Sequence, residues 1–309
     1  MISRRNIRVK VMQTLYTLSS LEHGAQGNKE VAATILNVKL GQVLDLFTTS
    51  VLYAIRIAQY ADFDARKRAS RYLVTAEDQN VDARIATNSF VQAILANASF
   101  DKKVKNDKLD RFIDDDYVKK AFLLLQKTEE YQKYLATTDH TPATDKAIIQ
   151  FIWEHQIVAS EDMISHFIDD LPGWEDDGDL IVMLMQNFFR GSSRVDFTNL
   201  LSGEKRDYAQ DLLLAVIDKE PQCMELITPR LTNWDKERVA MIDMLLLRMG
   251  VCEFLYFPTI PTKVTINEYI DVAKQYSTPQ SGQFVNGVLD NILKDLVKED
   301  KVNKTDRTK

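Results

Sequence analysis

Glycine and proline are scarce in this chain, ten and seven residues in 309, which excludes a turn-rich all-β architecture and long disordered linkers. Cysteine is scarcer still: Cys223 and Cys252 lie in apolar sequence and form no Cys-x-x-Cys pair, so neither a disulfide framework nor a zinc site is expected. The four histidines, His23, His140, His155 and His166, are far apart and lack paired-ligand spacing. Ser202-Gly203-Glu204-Lys205 ends like a phosphate loop but lacks the upstream glycine, and no Gly-x-Ser-x-Gly elbow occurs. Glu175-Asp176-Asp177-Gly178-Asp179 lacks the alternating ligands and closing glutamate of a calcium loop. The most apolar run, Met241–Phe257, is interrupted by Asp243, Arg248 and Glu253 and is too short and too charged to span a membrane. The first eight residues are basic without the apolar core of a signal peptide. The expectation is a non-enzymatic cytoplasmic protein with no metal, no cofactor and no membrane association.

What is present is ordinary globular composition, 45% hydrophobic and 27% charged, enough for one large or two ordinary domains. The net charge is −6, not the overall footprint of a nucleic-acid binder, although a local basic patch can sit on an acidic body. Helical spacing dominates nearly everywhere, so the fold class is all-α. Helices are expected over 3–21 (with Ser3 as N-cap), 29–60, 62–75, 82–98, 116–136, 144–157, 161–170 and 179–190, with a loop over 171–178. Further helices are expected over 205–217, 222–231, 236–256, 265–276 and 280–298, the last capped by Thr278 with Pro279 at its first position. The end, 299–309, reads as a frayed polar tail.

Residues 1–21 contain Arg4, Arg5, Arg8 and Lys10 and no acid. Three arginines at a helix start oppose the macrodipole. Either they solvate an exposed face, or their guanidinium forks join the free helix N–H groups in a phosphate-binding end. Two further basic clusters, Arg66-Lys67-Arg68 with Arg71 and Lys102-Lys103 with Lys105 and Lys108, could extend a nucleic-acid path but read more simply as solvated faces. Gly287 inside a helical pattern suggests close backbone packing, with Asn286 reaching a neighbouring loop such as 258–261. Asp243 in an apolar helix needs a partner, internal or external.

Two segments resemble a known family. Arg4-Arg5-Asn6-Ile7-Arg8, continuing to Gln13-Thr14-Leu15-Tyr16, resembles the arginine-rich first helix of NusB proteins. Leu247-Arg248-Met249-Gly250-Val251-Cys252-Glu253-Phe254, Ile260-Pro261-Thr262-Lys263-Val264-Thr265-Ile266-Asn267-Glu268, Ala273-Lys274 and Phe284-Val285-Asn286-Gly287-Val288-Leu289-Asp290 resemble the C-terminal half of that family without gaps. The resemblance implies a NusB-like helical bundle with an additional helical region. Its parts would be a basic first helix in 1–24, a helical insertion of unknown role over 25–200, a NusB-like domain over 201–298 and the tail 299–309.

The resemblance further implies a transcription antitermination factor binding boxA-type single-stranded RNA of ribosomal RNA operons. The implied partners are the small-subunit ribosomal protein also called NusE and the RNA polymerase elongation complex. It places RNA contacts at Arg4, Arg5, Arg8 and Lys10, and around Gln280, Gln283 and Phe284, where an aromatic ring stacks on a base. Tyr16 and Asp243 fall on the implied partner surface. Asn6, Gln280 and Gln283 depart from the charged residues usual in the family. Two alternatives are an RNA-binding accessory module like that fused to ribosomal RNA methyltransferases, and a helical scaffold that no longer binds RNA.

Overall fold

The first helix begins where Ser3 can cap it. In the computed structural model, which describes residues 2–21, 28–70, 72, 75, 81–191, 195–231 and 239–305, the Ser3 hydroxyl accepts the Asn6 N–H at 3.2 Å and the Asn6 side-chain oxygen accepts the Ser3 N–H at 3.3 Å. This capping box satisfies two otherwise orphaned donors and starts α1 (Arg4–Ser19). Thirteen further α-helices follow among the described residues: α2 (Lys29–Ala69), α3 (Ser89–Leu95), α4 (Ala98–Asn106), α5 (Asp115–Leu125), α6 (Glu129–Ala136), α7 (Pro142–Phe151), α8 (Glu161–Asp170) and α9 (Trp174–Arg190). The last five are α10 (Gly203–Asp218), α11 (Glu220–Ile227), α12 (Met241–Tyr256), α13 (Thr262–Tyr276) and α14 (Ser281–Lys298). No strand forms among the described residues. The all-α expectation is met.

The chain divides into two compact units, one of residues 1–40 and 201–309, the other of residues 41–200, so that the division falls inside α2. In the second unit an aromatic core gathers around the C-terminal part of α2. Phe47 lies 5.7 Å from both Phe188 and Phe197, Tyr53 lies 5.0 Å from Phe167, and Tyr60 lies 5.4 Å from Phe122. By length and composition alone α2 could cross a membrane. Its apolar residues Val43, Phe47, Val51, Ile55, Ala58 and Ala61 are instead buried within this unit.

Several boundaries differ from the sequence expectation, each for a local reason. Helices expected over 29–60 and 62–75 are one 41-residue helix, since neither glycine nor proline interrupts the pattern between them. The 82–98 segment splits because Asn88 and Asn97 each cap a new helix with their side chains. Thr128 does the same within 116–136. Residues 152–158, expected to continue α7 as α-helix, wind as a π-helix that buries Trp153 and Ile157. The expected loop 171–178 shortens to three residues. Gly173 turns the chain at φ +87°, a conformation open to glycine, and α9 starts with Trp174 packed 4.6 Å from Phe167. Glu175, Asp176 and Asp177 then occupy its first turn, where the helix dipole favours acids.

In the other unit α12 is the central element. Its residues 245–247 and 249–254 are all buried, as expected for a helix apolar on every side, and it packs against α1, α10, α11, α13 and α14. Leu289 of α14 fits against Gly250, where an added Cβ would stand 2.8 Å from the leucine Cδ2. The close approach expected at Gly287 is therefore at Gly250; a Cβ at Gly287 meets nothing within 4 Å. Asn286 is exposed, and Thr305 donates to the Pro258 carbonyl at 3.0 Å. Lys304 donates to the Glu253 and Phe257 carbonyls at 2.7 and 2.9 Å, capping the C-terminal end of α12. Residues 304–305 of the tail are thus docked rather than frayed. Helix α14 starts at Ser281, later than the expected Thr278 cap. Arg71, His23 and 236–238, named in the sequence expectations, lie outside the described residues.

Candidate nucleic-acid interface

At about 100° per residue, Arg4, Arg5 and Arg8 fall on one side of α1, and Lys10 on the other. The three arginines are held differently. Arg8 is 2% exposed and faces Glu253, which is 0% exposed. Its Nε donates to Glu253 Oε1 at 2.7 Å and its Nη2 to Oε2 at 3.0 Å, the bidentate fork that matches a carboxylate. Oε1 also accepts the Tyr208 hydroxyl at 2.6 Å and the Tyr269 hydroxyl at 2.9 Å, and Oε2 accepts Thr265 Oγ1 at 2.9 Å. The guanidinium carbon lies 5.7 and 5.6 Å from the two tyrosine rings. Elements α1, α10, α12 and α13 thus meet around one ion pair.

The charge states follow from this packing. Burial alone would raise the Glu253 carboxyl, but the Arg8 guanidinium and the tyrosine hydroxyls outweigh it and hold the group below its ordinary value. Burial and then the Glu253 charge push both tyrosines well above theirs, so they stay protonated and donate. Burial opposes the Arg8 charge, yet Glu253 raises that group above its ordinary value too. Arg8, expected among the RNA contacts, is enclosed in this centre.

Arg4 and Arg5 reach the surface. Arg4 pairs with Glu204 at 2.6 Å and lies 5.5 Å from the Tyr208 ring. Arg5, with its side chain 47% exposed, forks onto Glu268 at 3.0 and 3.2 Å and reaches Asp271 at 2.7 Å. From Asp271 the surface continues to Lys274, 4.0 Å away, whose stem lies against Gly282: an added Cβ there would stand 3.0 Å from Lys274 Cγ. Helix α13 therefore carries a polar strip from the start of α1 to the start of α14, where Gln280 and Gln283 are exposed. The two ends of the sequence that were singled out separately are joined through α13. Phe284 is 6% exposed and belongs to the buried row of α14. Lys10 is buried and donates to Gln13 at 3.1 Å.

Tyr16 is 46% exposed toward the end of α1, where the Ser19 hydroxyl lies 3.0 Å from the sulfur of the exposed Met241. Asp243 is buried and accepts the Ser281 hydroxyl at 2.7 Å, so its internal partner is the start of α14. The basic clusters of the second unit carry acids of their own: Arg66 pairs with Asp62 at 2.7 Å, Arg68 with Asp64 at 2.8 Å, Lys103 with Asp45 and Asp107, and Lys105 with Asp101 at 2.8 Å.

Sequence reasoning missed Glu253, Tyr208, Thr265, Tyr269, Glu204 and Asp271. One signal was available. Glu253 interrupts an all-apolar helix just as Asp243 does, and a carboxylate buried there requires a cation; the acid-free segment holding Arg8 was the richest source of one.

Among the described residues this unit is helical, closed on a buried arginine–glutamate pair, with a surface strip of arginine, lysine and glutamine beside it whose arginines are paired with acids. The NusB family model matches residues 179–294. The chain is 45% identical over 102 residues to the transcription antitermination protein NusB of Salinibacter ruber (strain DSM 13855 / M31), covering 33% of this chain and 64% of that protein. It is 40% identical over 97 residues to the protein of that name from Bacillus velezensis (strain DSM 23117 / BGSC 10A6 / LMG 26770 / FZB42), covering 31% and 75%. The namesake from Listeria monocytogenes serotype 4b (strain CLIP80459) is 38% identical over 94 residues, covering 30% and 73%. The chain belongs to the NusB family. No solved structure matches it. The family match begins at residue 179, and α1, outside it, packs against α10 and α12 in the same compact unit.

Proposed function

We propose that this protein is a non-enzymatic, RNA-binding transcription antitermination factor acting in the cytoplasm, with a helical insertion, expected over 25–200, that precedes and partly overlaps the family match at 179–294. The observation that carries the reading is the family membership, together with the strip that joins Arg4 and Arg5 to Lys274, Gln280 and Gln283 through α13. The RNA is single-stranded and of boxA type. Exposed amides read base edges, while Arg4, Arg5 and Lys274 meet phosphates. Arg4 leaves the exposed Glu204, and Arg5 leaves Glu268 and Asp271, for a phosphate, an exchange of similar charge-assisted bonds. Arg8 acts from beneath by fixing the orientation of α1 on α12. Phe284 supports the strip as a packing residue of α14, Lys10 lies buried on the other side of α1, and Asp243 anchors the start of α14. The exposed Tyr16, one turn before the Ser19–Met241 contact, offers the surface for the small-subunit ribosomal protein, through which the RNA polymerase elongation complex is engaged.

The test is a titration of the full chain against a boxA-like single-stranded RNA at two salt concentrations, with and without the ribosomal protein. The expected result is binding that weakens with salt and tightens with the partner. Absence of salt-dependent binding under both conditions would leave the helical-scaffold reading, which the pairing of Arg4 and Arg5 with acids favours.

A further inference from the structure

Helices α11 and α12 meet along a ladder of side-chain pairs set by helical spacing. Glu220 and Cys223, three residues apart, share one face of α11, and Arg248 and Cys252, four apart, share one face of α12. The first rung is ionic: Arg248 Nη1 lies 3.0 Å from Glu220 Oε1. One turn further, Cys223 Sγ lies 3.5 Å from Cys252 Sγ. One turn further along α12, Tyr256 donates to Gln222, the neighbour of Cys223, at 2.7 Å. These are the only two cysteines in 309 residues, they come from different helices, and both are fully buried. A disulfide needs the sulfurs about 2.05 Å apart, so closure asks for a shift of roughly 1.5 Å.

We infer that Cys223 and Cys252 form a redox-sensitive thiol pair that peroxide closes to an intramolecular disulfide, stapling α11 to α12. Nothing in the antitermination reading requires this pair. The two thiols are unequal. The hydrogen bond from Cys252 draws the Cys223 thiol below its ordinary value against the effect of burial, with the Arg248 charge one turn away assisting. The same hydrogen bond, with burial, pushes Cys252 up. Cys223, whose Sγ also lies 3.9 Å from the carbonyl of Arg248, is assigned the first step. Arg248 and Glu220, but neither cysteine, line a cavity of about 230 Å³, which gives a molecule as small as hydrogen peroxide room at the first rung of the ladder, one turn from the thiols.

In the first step the Cys223 thiolate attacks one peroxide oxygen. The O–O bond breaks, hydroxide leaves and takes a proton to become water, and Cys223 becomes a sulfenic acid. In the second step Cys252 sulfur attacks Cys223 sulfur. The S–OH bond breaks, and its hydroxide leaves as a second water with the Cys252 proton. Two thiols and one peroxide give one disulfide and two waters, with each sulfur oxidised by one electron and the peroxide reduced by two.

The experiment treats the reduced full chain with hydrogen peroxide and reads intact mass, thiol titre in denaturant and melting temperature. The expected result is a monomer lighter by about 2 Da, loss of both thiols, a higher melting temperature, and full reversal by dithiothreitol. In C252S, Cys223 should be trapped as a sulfenic acid by dimedone; in C223S, Cys252 should remain a thiol. Oxygen adducts without the lighter species, a disulfide-linked dimer, or two intact thiols after free cysteine in the same tube is consumed would each overturn the proposal. Faster oxidation of Cys252 in C223S than of Cys223 in C252S would overturn the assigned order.

Discussion

A buried carboxylate deprived of its cation cannot retreat into water, and this asymmetry sets the behaviour of the α1 arginines. Replacing Arg8 with alanine leaves Glu253 enclosed with only hydroxyl donors, a situation that costs about 3–5 kcal/mol. Urea unfolding of R8A should show that loss, while R4A and R5A, each removing an exposed pair, should lie within about 1 kcal/mol of the parent. Acid titration probes the same centre. The folded-state value of Glu253 lies below its ordinary 4.5, so its contribution is complete above pH 4.5 and is lost as pH falls through the folded value. E253Q should be less stable than the parent at pH 7 and lack that part of the acid-side decline. Urea midpoints measured from pH 7 to 3 that fall in parallel for the two proteins would contradict this.

At the scale of elements, the contact of α14 with α12 depends on Gly250, and the surface of α14 does not depend on Gly287. G250A drives a methyl into Leu289 and should destabilise by about 1–3 kcal/mol. G287A adds a methyl in open space within a helix and should stabilise by up to about 1 kcal/mol. Equal melting temperatures for the two variants would show that the packing has been misassigned. Periodicity located the C-terminal helices closely, since Pro258, Pro261 and Pro279 punctuate them. It merged α5 with α6 and overran α3 because Thr128, Asn88 and Asn97 act as caps only through side-chain geometry that their spacing does not reveal. The Ser3 cap was legible, but Asn6, which departs from the charged residue usual in the family, is the other half of the capping box. The arginine-rich segment was legible as a site; which arginine faces inward was not, because it depends on Glu253, 245 residues away.

At the scale of the whole molecule, an acidic protein of net charge −6 places its proposed RNA contacts on one strip of one compact unit. On the proposed strip labour is divided: Arg8 is the organising residue beneath it, and Arg4 and Arg5 are the proposed RNA contacts. The measurement that addresses this division is a salt-dependent titration of single-stranded boxA-type RNA against R4A/R5A, alongside melting curves of the same samples. Melting should stay within a few degrees of the parent, RNA affinity should fall at least several-fold, and the slope of log K against log salt should shrink by roughly 1.4, the value for two phosphate contacts on a single strand. Unchanged affinity and slope in a fully folded double variant would contradict the account.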